Sequence, residues 1–420
     1  MSSQEDTAAA HDPDGVRAQV SAWLEANWHA DQSLLEWRRA LTAAGWAVPS
    51  WPVDWHGRGL PAWADDVASA AIALVGAVGT PPGAGMGLAA PTILTHGGDQ
   101  VKALLLTRIV TGEDTWCQLF SEPGSGSDLA GLSTTARRDG DEWVIDGQKL
   151  WSTSAHHADL GLLLARTNWD APKHRGITCF ALPMHQPGVE ARPLQQMNGH
   201  ASFNEVFLTG ARVPGAHVIG PVDEGWRVAM TTLAHERRFG GMRRPTIDAS
   251  GGRALVEAAH EADEHFRTYD WYPQRAGRVD LLVGRARAAG MDADPLARQA
   301  LASVLSQQRT QQWTAQRAQD ARAAGGPPGA EGSIGKLGTS HVARAAARAH
   351  SHLAGADGML VGADAPLNGI ISEVLISVPA QSIAGGTDEI QRNILGEQML
   401  GLPREPSVDK DVPFREVRRA

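Results

Sequence analysis

The stretch Gln118–Asp128, Q-L-F-S-E-P-G-S-G-S-D, is the most informative part of the chain, because it joins an apolar segment to a loop rich in glycine and serine. The apolar residues from Cys117 to Phe120 predict a short strand. Glycine has no Cβ atom, so its backbone N–H group can approach a flat or anionic ligand closely. The serines add hydroxyl groups that donate and accept hydrogen bonds. Taken alone, the stretch fits either a surface turn or a ligand-binding loop.

Length, charge and cysteine content limit the classes of protein to which the chain can belong. With 420 residues, the chain is long enough for two or three domains or layers. A formal net charge of -9 argues against a nucleic-acid partner. Two cysteines, Cys117 and Cys179, fit a reduced compartment rather than a disulfide framework. Because we find neither a signal-peptide core nor an apolar run of about 18 residues, we predict a cytoplasmic protein without a membrane span.

The period of the apolar residues changes twice along the chain. Residues 16–44, 62–78 and 91–110 show helical spacing. From Thr115 onward, short β-rich runs bounded by Gly, Pro or Asp predict strands. The helical pattern returns from Gly225 to Met399, with a loop between helices predicted at Gly325–Ser333. We therefore expect a mainly α fold with a central β domain, divided into an N-terminal helical domain (1–114), a middle β domain (115–222) and a C-terminal helical bundle (223–420).

Three further motifs follow the first one in order along the chain. They are D-G-Q-K-L-W-S-T at 146–153, a segment at 220–237 in which E-G-W leads into L-A-H-E-R, and G-G-T-D-E-I-Q-R-N at 385–393. One such motif is a weak signal, but four of them in this order resemble the acyl-CoA dehydrogenases over most of the chain. The resemblance implies an N-terminal helical domain, a β-barrel-like middle domain and a C-terminal four-helix bundle.

The resemblance also implies that the chain binds FAD between the β domain and the C-terminal bundle. Trp151 would lie against the flavin ring and Thr153 near its N5 atom, although a tryptophan of the core is the alternative interpretation of Trp151. His352 stands where the family commonly has an amide, and an interface histidine is the alternative there. The implied cofactor-binding residues are Gln118, Phe120, Ser121, Ser127, Trp151, Thr153, His352, Ala356, Thr387 and Glu389.

The implied reaction removes a proton from the α carbon of an acyl-CoA thioester and passes hydride from the β carbon to flavin N5. It requires a carboxylate base, together with hydrogen-bond donors to the thioester oxygen. Many family members carry the base at the position of Gly385, which has no side chain, whereas a second family position is Glu236 here. We expect Glu236 to be the base; a surface glutamate paired with an arginine is the alternative. The implied substrate-binding residues are Ser127, Arg237, Gly385 and Gly386.

Two features of the C-terminal part shape the expected substrate and assembly. Gly385 leaves space at the α carbon, which favours a branched or bulky acyl group. The family's Arg-x-x-Phe-Gly run, which contacts FAD across a subunit boundary, is absent between Glu264 and Arg298, and Arg298 is the candidate substitute. This departure leaves open a homo-oligomer, a hetero-oligomer with a related chain, or a non-catalytic partner subunit.

The expected reaction partners follow from the same resemblance. The family implies an electron-transfer flavoprotein as the electron acceptor. An enzyme of the same fold that acts on an acyl group carried by a carrier protein, or that uses oxygen directly, is a further alternative. His156 and His157 have no second cluster of ligands nearby in the sequence, so we predict no metal site.

Overall fold

The computed structural model describes residues 12–236, 244–323, 329, 331–406, 409 and 411–417. Contacts among the described residues divide the chain into two compact units. The first, called unit 1, draws its residues from Met1–Leu194, Ser202–Thr268 and Asp409–Ala420. The second, called unit 2, draws its residues from Gln195–Ala201 and Tyr269–Val408.

Unit 1 begins with helices whose ends match capping signals in the sequence. Ser33 and Glu36 form a capping box, in which each side chain accepts a hydrogen bond from the other residue's backbone N–H. The predicted helical stretch 16–44 is confirmed as two helices, and the stretch 91–110 is broken at Gly97. The helices are α1 (Pro13–Asn27), α2 (Leu34–Ala43), α3 (Trp63–Leu74), α4 (Ala90–His96) and α5 (Asp99–Thr111).

A single sheet follows, as the change of apolar period predicts. Its strands are β1 (Trp116–Leu119), β2 (Thr135–Asp139), β3 (Glu142–Thr153), β4 (Leu160–Arg166), β5 (Ile177–Pro183), β6 (Val189–Leu194), β7 (Phe203–Pro214) and β8 (Val218–Ile219). Within the described part of the chain, seven of these eight strands pair in the order β6-β7-β3-β2-β4-β5-β8, and β1 lies off this path. Strand β1 pairs with β4 in parallel, with Trp116 opposite Leu160.

Strand β4 is buried along its whole length, because both faces of the sheet are covered there. Successive side chains of a strand point to opposite faces. Leu160, Leu162 and Leu164 accordingly join a cluster with residues of α4 and α5. Leu163 and Ala165 join a second cluster, with residues of β3, β5 and β7. The continuous apolar run of β4 thus reflects a central strand that packs on both sides.

Two more helices complete unit 1: α6 (Gly225–Glu236) and α7 (Arg253–Arg267). Helix α6 lies close against β5, since a Cβ atom on Gly225 would come within 2.8 Å of the Ile177 carbonyl oxygen. Glycine at 225 therefore permits this close packing. Helix α7 is tied to α2 by Arg38, whose guanidinium donates to both carboxylate oxygens of Glu261 at 2.7 and 2.6 Å.

The described part of unit 2 is mostly helical. Its helices are α8 (Tyr272–Arg275), α9 (Leu282–Ala288), α10 (Pro295–Ala323), α11 (Glu331–Ala354), α12 (Ile370–Ser377), α13 (Pro379–Ile383) and α14 (Asp388–Ile394). Alanines of α11 pack against Leu282 and Val304. The loop predicted at Gly325–Ser333 extends too far toward the C-terminus, because α11 already begins at Glu331. Of that loop, residues 325–328 and 330 lie outside the described part of the chain.

Two features bear on the expected location of the chain. The stretch Pro366–Met399 is long and apolar enough to cross a membrane by length and composition, which is weak support for a span because core helices pass the same test. Cys117 on β1 and Cys179 on β5 are both buried as free thiols.

Candidate functional site

The loop that follows β1 is an ordered turn. The backbone groups of Glu122 and Ser125 exchange two hydrogen bonds, at 2.9 and 3.0 Å. The Ser125 hydroxyl donates to the carbonyl oxygen of Asp128 at 2.7 Å. Ser121 is half-buried, whereas Ser127 is exposed on the same loop. Both serines predicted to contact the cofactor are therefore held on a fixed loop at the end of a buried strand.

The end of β3 lies directly against this loop. The Leu150 N–H donates to the Ser121 carbonyl oxygen at 2.9 Å. The pairing of β3 with β7 shifts register between Lys149 and Ser152, as at a β-bulge. At this irregularity Trp151 takes a φ of +60° and leaves 52% of its surface exposed. The structure therefore brings Ser121 and the second motif together and turns Trp151 out of the sheet.

The ring of Trp151 has an aromatic neighbour on the next strand. Its centroid lies 5.6 Å from that of Phe203, with the two rings edge to face. Thr153, the last residue of β3, pairs with Phe203 and is half-buried. Trp151 is thus an exposed ring near the end of β3 rather than a tryptophan of the core.

A buried ion pair with no role predicted from the sequence lies beneath the loop. The Lys149 ammonium donates to Glu122 Oε1 at 2.8 Å and to the Phe120 carbonyl oxygen at 3.0 Å. The side chains of Lys149 and Glu122 are 0% and 5% exposed. Burial alone raises the pKa of Glu122, but the Lys149 charge and several hydrogen bonds outweigh it and lower that pKa to about 2. Both residues stand inside the first two motifs, which is the signal that could have identified them.

Glu236, the expected base, lies at the end of α6 and is half-buried. The side-chain amide of Gln118, on β1, donates to Glu236 Oε2 at 3.2 Å. Gln118 was predicted to bind the cofactor; in the structure its amide contacts the expected base. Arg237, the predicted substrate-binding residue next to Glu236, lies outside the described residues.

The fourth motif forms a tight turn in unit 2. Gly385 and Gly386 take φ values of +67° and +82°, which glycine adopts without strain. The Thr387 side chain caps α14 by accepting a hydrogen bond from the Ile390 N–H at 3.2 Å. The Gln391 side chain donates to the Gly385 carbonyl oxygen at 3.0 Å. A Cβ atom on Gly385 would meet nothing within 4 Å, so this position faces open space.

This turn is anchored to α11 through one buried carboxylate. Asp388 accepts from Lys336 at 2.8 Å and from the Ser340 hydroxyl at 2.9 Å, and Arg344 lies 3.2 Å away. Burial raises the pKa of Asp388, but the bonds from Lys336 and Ser340 outweigh it and hold that pKa below its usual value. Asp388 therefore fixes the position of the adjacent Thr387.

The remaining predicted residues of unit 2 lie on its surface. Glu389 is paired with Arg392 at 3.3 Å along α14. His352, near the end of α11, has its Nε2 atom 3.7 Å from Asp294 Oδ1. Ala356 is exposed on the short helical turn Gly355–Met359. Arg298, the candidate substitute for the absent arginine, is exposed and donates to the Asp292 carbonyl oxygen at 3.1 Å.

Comparisons with known proteins indicate the same family over nearly the whole chain. Family models of the N-terminal, middle and C-terminal domains of acyl-CoA dehydrogenases match residues 13–113, 117–210 and 282–400. Acyl-CoA dehydrogenase IpdE1 of Mycobacterium tuberculosis is 34% identical over an alignment of 421 positions, which covers 94% of this chain and 99% of the relative.

Solved structures extend the likeness to the fold. A structure described as the Tcur3481-Tcur3483 steroid ACAD is similar with a TM-score of 0.64 and 26% identity, covering 94% of this chain and 98% of that chain. The ChsE4-ChsE5 complex from Mycobacterium tuberculosis contains a chain that is similar with a TM-score of 0.64 and 25% identity, over the same shares of the two chains.

Proposed function

Because this chain belongs to the acyl-CoA dehydrogenases, a family of flavoprotein oxidoreductases, we propose that it uses FAD to dehydrogenate an acyl-CoA thioester between its α and β carbons. The hydrogen bond from Gln118 to Glu236 at 3.2 Å carries the proposal. It shows that a half-buried carboxylate on α6 lies beside the strand leading into the Ser121 loop. A base and a cofactor loop at one place are what the reaction requires.

The residues of unit 1 fit a flavin ring. Trp151 presents an exposed aromatic face from a strained backbone, and Ser121 lies on the segment that β3 holds in place. We propose that Phe120, Ser121, Ser127, Trp151 and Thr153 contact the ring. Bound FAD would supply the acceptor for the hydride that leaves the β carbon.

For unit 2, we propose the cofactor contacts that the family resemblance implies. Thr387 and Glu389 stand at the start of α14, where Asp388 anchors the turn. We propose that these two residues reach the diphosphate and ribose of FAD, and that His352 and Ala356 receive the adenosine half from a neighbouring subunit.

We assign the proton-transfer step to Glu236. Its carboxylate would take the proton from the α carbon of the bound thioester, and the amide of Gln118 would hold the carboxylate in one orientation. The N–H of Gly385 would donate to the thioester oxygen, where negative charge develops. A donor of that kind is worth about 3 kcal/mol in the transition state.

The replacement of glutamate by glutamine at 236 tests the assignment. Glu236→Gln keeps the shape and the partner of the side chain but removes the base, so we expect turnover to fall by at least about a hundredfold while FAD content is unchanged. Stopped-flow reduction of the bound flavin by acyl-CoA measures the step directly. Reduction at the wild-type rate would refute the role of Glu236.

Matched variants separate loss of the base from general damage. Glu224→Gln changes an exposed glutamate just before α6 and should leave the reduction rate unchanged. Gln118→Leu should give an intermediate loss, because a hydrogen bond to a charged group contributes about 1.5–3 kcal/mol. Gln148→Leu is its control, since Gln148 also donates to a glutamate, Glu205, from a half-buried position on the sheet.

We further propose that the acyl group is bulky or branched. The open space at Gly385 supports this, and one of the similar structures is described as a steroid ACAD. A panel of thioesters, from butyryl-CoA to branched and polycyclic acyl-CoAs, should give the highest kcat/KM for a bulky member. A preference for butyryl-CoA over every branched or cyclic substrate would contradict this proposal.

A second candidate function is that of an FAD-binding or non-catalytic subunit in a mixed oligomer. The absent Arg-x-x-Phe-Gly run favours it, and ChsE4-ChsE5 is a complex of two named chains. The chain purified alone would then lack flavin and activity, and coexpression with a related chain would restore both. Full FAD content and turnover of the chain alone would exclude it.

The proposal also covers the electron acceptor, the carrier of the thioester and the location of the protein. We propose an electron-transfer flavoprotein as the electron acceptor, CoA rather than a carrier protein as the thioester carrier, and a cytoplasmic location. Anaerobic titration with an acyl-CoA would reduce the flavin only if free CoA thioesters are substrates. Reoxidation by an added electron-transfer flavoprotein, compared with reoxidation by air alone, tests the acceptor.

A further inference from the structure

The buried pair formed by Lys149 and Glu122 connects three segments of unit 1. Lys149 lies on β3 and donates to the carbonyl oxygen of Phe120, just after β1. Glu122 accepts from the Ser133 N–H, from the Ser133 hydroxyl at 3.0 Å and from the Thr134 N–H at 2.9 Å. Ser133 and Thr134 immediately precede β2. The two side chains therefore join the start of the loop to the strands on either side.

Burying such a pair of charges in a core costs free energy. Transferring two charges from water into the interior costs several kcal/mol for each ion, and apolar residues of similar volume are often as stable or more so. Here the two charges are 0% and 5% exposed. Burial lowers the pKa of Lys149, and the Glu122 charge opposes that effect. Stability alone therefore does not explain why charged residues occupy these positions.

The contact with Phe120 indicates what the pair does. The peptide between Phe120 and Ser121 is trans, so the carbonyl of Phe120 and the N–H of Ser121 point in opposite directions. By binding the carbonyl, Lys149 fixes the direction of that N–H. The Leu150 N–H binds the next carbonyl, that of Ser121, at 2.9 Å. Both carbonyls that flank the Ser121 N–H are thus held by consecutive residues of β3.

We infer that Lys149 and Glu122 are positioning residues that aim the Ser121 N–H at the flavin ring without touching the cofactor themselves. The inference rests on the proposed use of FAD. Lys149 sets the direction of the peptide, and Glu122 holds the ammonium in place against the segment before β2. The same strand turns Trp151 outward two residues later, so one anchored stretch of β3 would place both predicted ring contacts.

The test compares two single variants with the double variant. Lys149→Met and Glu122→Gln each leave one buried charge unpaired, so both should lower the unfolding temperature of the FAD-free protein. The double variant Lys149→Met/Glu122→Gln should regain most of that loss. Its FAD dissociation constant should nevertheless stay about tenfold above wild type, since a hydrogen bond from a charged donor to Phe120 is gone. The absorption maxima of the bound flavin and its reduction potential should also shift.

Two further variants test the inference even where the double variant does not fold. Ser133→Ala removes only one hydrogen bond to Glu122, so it should fold and weaken FAD binding by a few-fold. Arg38→Leu is the matched control, because Arg38 also pairs with a glutamate and donates to a backbone carbonyl, that of Gly79, at 3.0 Å. It should lose stability and keep the dissociation constant and the flavin spectrum of the wild type.

Each outcome decides between the interpretations. A double variant that binds FAD within twofold of wild type, with an unchanged spectrum and potential, would show that the pair has only a structural role. Where the double variant fails to fold, wild-type FAD binding and spectrum in Ser133→Ala overturn the inference. Wild-type protein that takes up no FAD, alone or with a related chain, would refute the proposed function and this inference with it. Protein that binds FAD but oxidises no acyl-CoA would refute the function alone.

Discussion

At the scale of single residues, Trp151 shows most clearly what the sequence could and could not predict. Its place in the second motif predicts a ring contact, and the structure gives it an exposed face. No pattern predicts its φ of +60°, which is strained for a large side chain. The strain arises from the register shift between β3 and β7, which depends on a strand more than fifty residues away. Strain retained at an exposed residue favours a functional role over a structural one.

Two substitutions at Trp151 should separate strain from function. Both variants lose the indole ring and its contact with Phe203, but Trp151→Gly relieves the left-handed backbone, whereas Trp151→Ala keeps most of the strain. We expect the free energy of unfolding of the glycine variant to be about 1 kcal/mol higher than that of the alanine variant. Both variants should bind FAD more weakly than wild type. Urea unfolding and FAD titration check this; an alanine variant as stable as the glycine variant would argue against strain.

Gln118 shows a second limit at the same scale. The resemblance placed it among the cofactor residues, because it stands in the first motif. Its partner Glu236 is 118 positions further along the chain, and the contact forms only when α6 packs beside β1. Spacing along a sequence carries no information about such a pair. Glu236 itself could be proposed because an arginine follows it and Gly385 leaves the other family position empty.

At the scale of elements, the helices and strands follow from local patterns, whereas their anchoring does not. The apolar run 160–165 of β4 is typical of a strand buried on both faces, and the capping box at Ser33 marks the start of α2. The predicted loop 325–333 was too long, because burial of Ser333 and Leu337 in the packed face of α11 outweighs the low helical propensity of the glycines that follow Glu331. The motifs mark Lys149 and Glu122 individually, but their pairing could not be foreseen, because only the fold brings the two side chains together in the interior.

The anchoring of the loop by Glu122 predicts an acid-sensitive stability. Its folded pKa of about 2 lies below the ordinary value of 4.5, so its contribution is complete above pH 4.5 and is lost as the pH falls toward 2. Between pH 5 and pH 3 this loss amounts to about 2 kcal/mol. Between pH 5 and pH 3, the free energy of unfolding of the wild-type protein should therefore fall by about 2 kcal/mol more than that of Lys149→Met/Glu122→Gln.

Urea unfolding at both pH values measures the difference. Glu224→Gln, which removes an exposed carboxylate, should lose as much stability as wild type over the same interval. An equal loss in the double variant and in wild type would show that Glu122 does not keep its charge in the folded protein.

At the scale of the whole molecule, the order of helices, strands and helices was predicted from the period of the apolar residues. The three family models match the same order, which confirms the fold class. The division of the chain was harder to predict, because a compact unit is defined by contacts in space. Residues 195–201 join unit 2 although they lie between two strands of unit 1, and Asp409 joins unit 1 from the far end of the chain. Lys173, which binds Asp409 at 2.6 Å, accounts for part of that return.

The two buried thiols have a practical consequence for every experiment proposed above. Burial raises the pKa of Cys117 to about 12 and raises that of Cys179 as well. Only the thiolate reacts with alkylating reagents, so both cysteines should be inert in the folded protein. A cysteine introduced on the surface would then be the single reactive thiol of a 420-residue chain. A dye or spin label could be attached there without first removing the native cysteines, and delayed labelling of Cys117 would report when the strand beside the expected base comes apart.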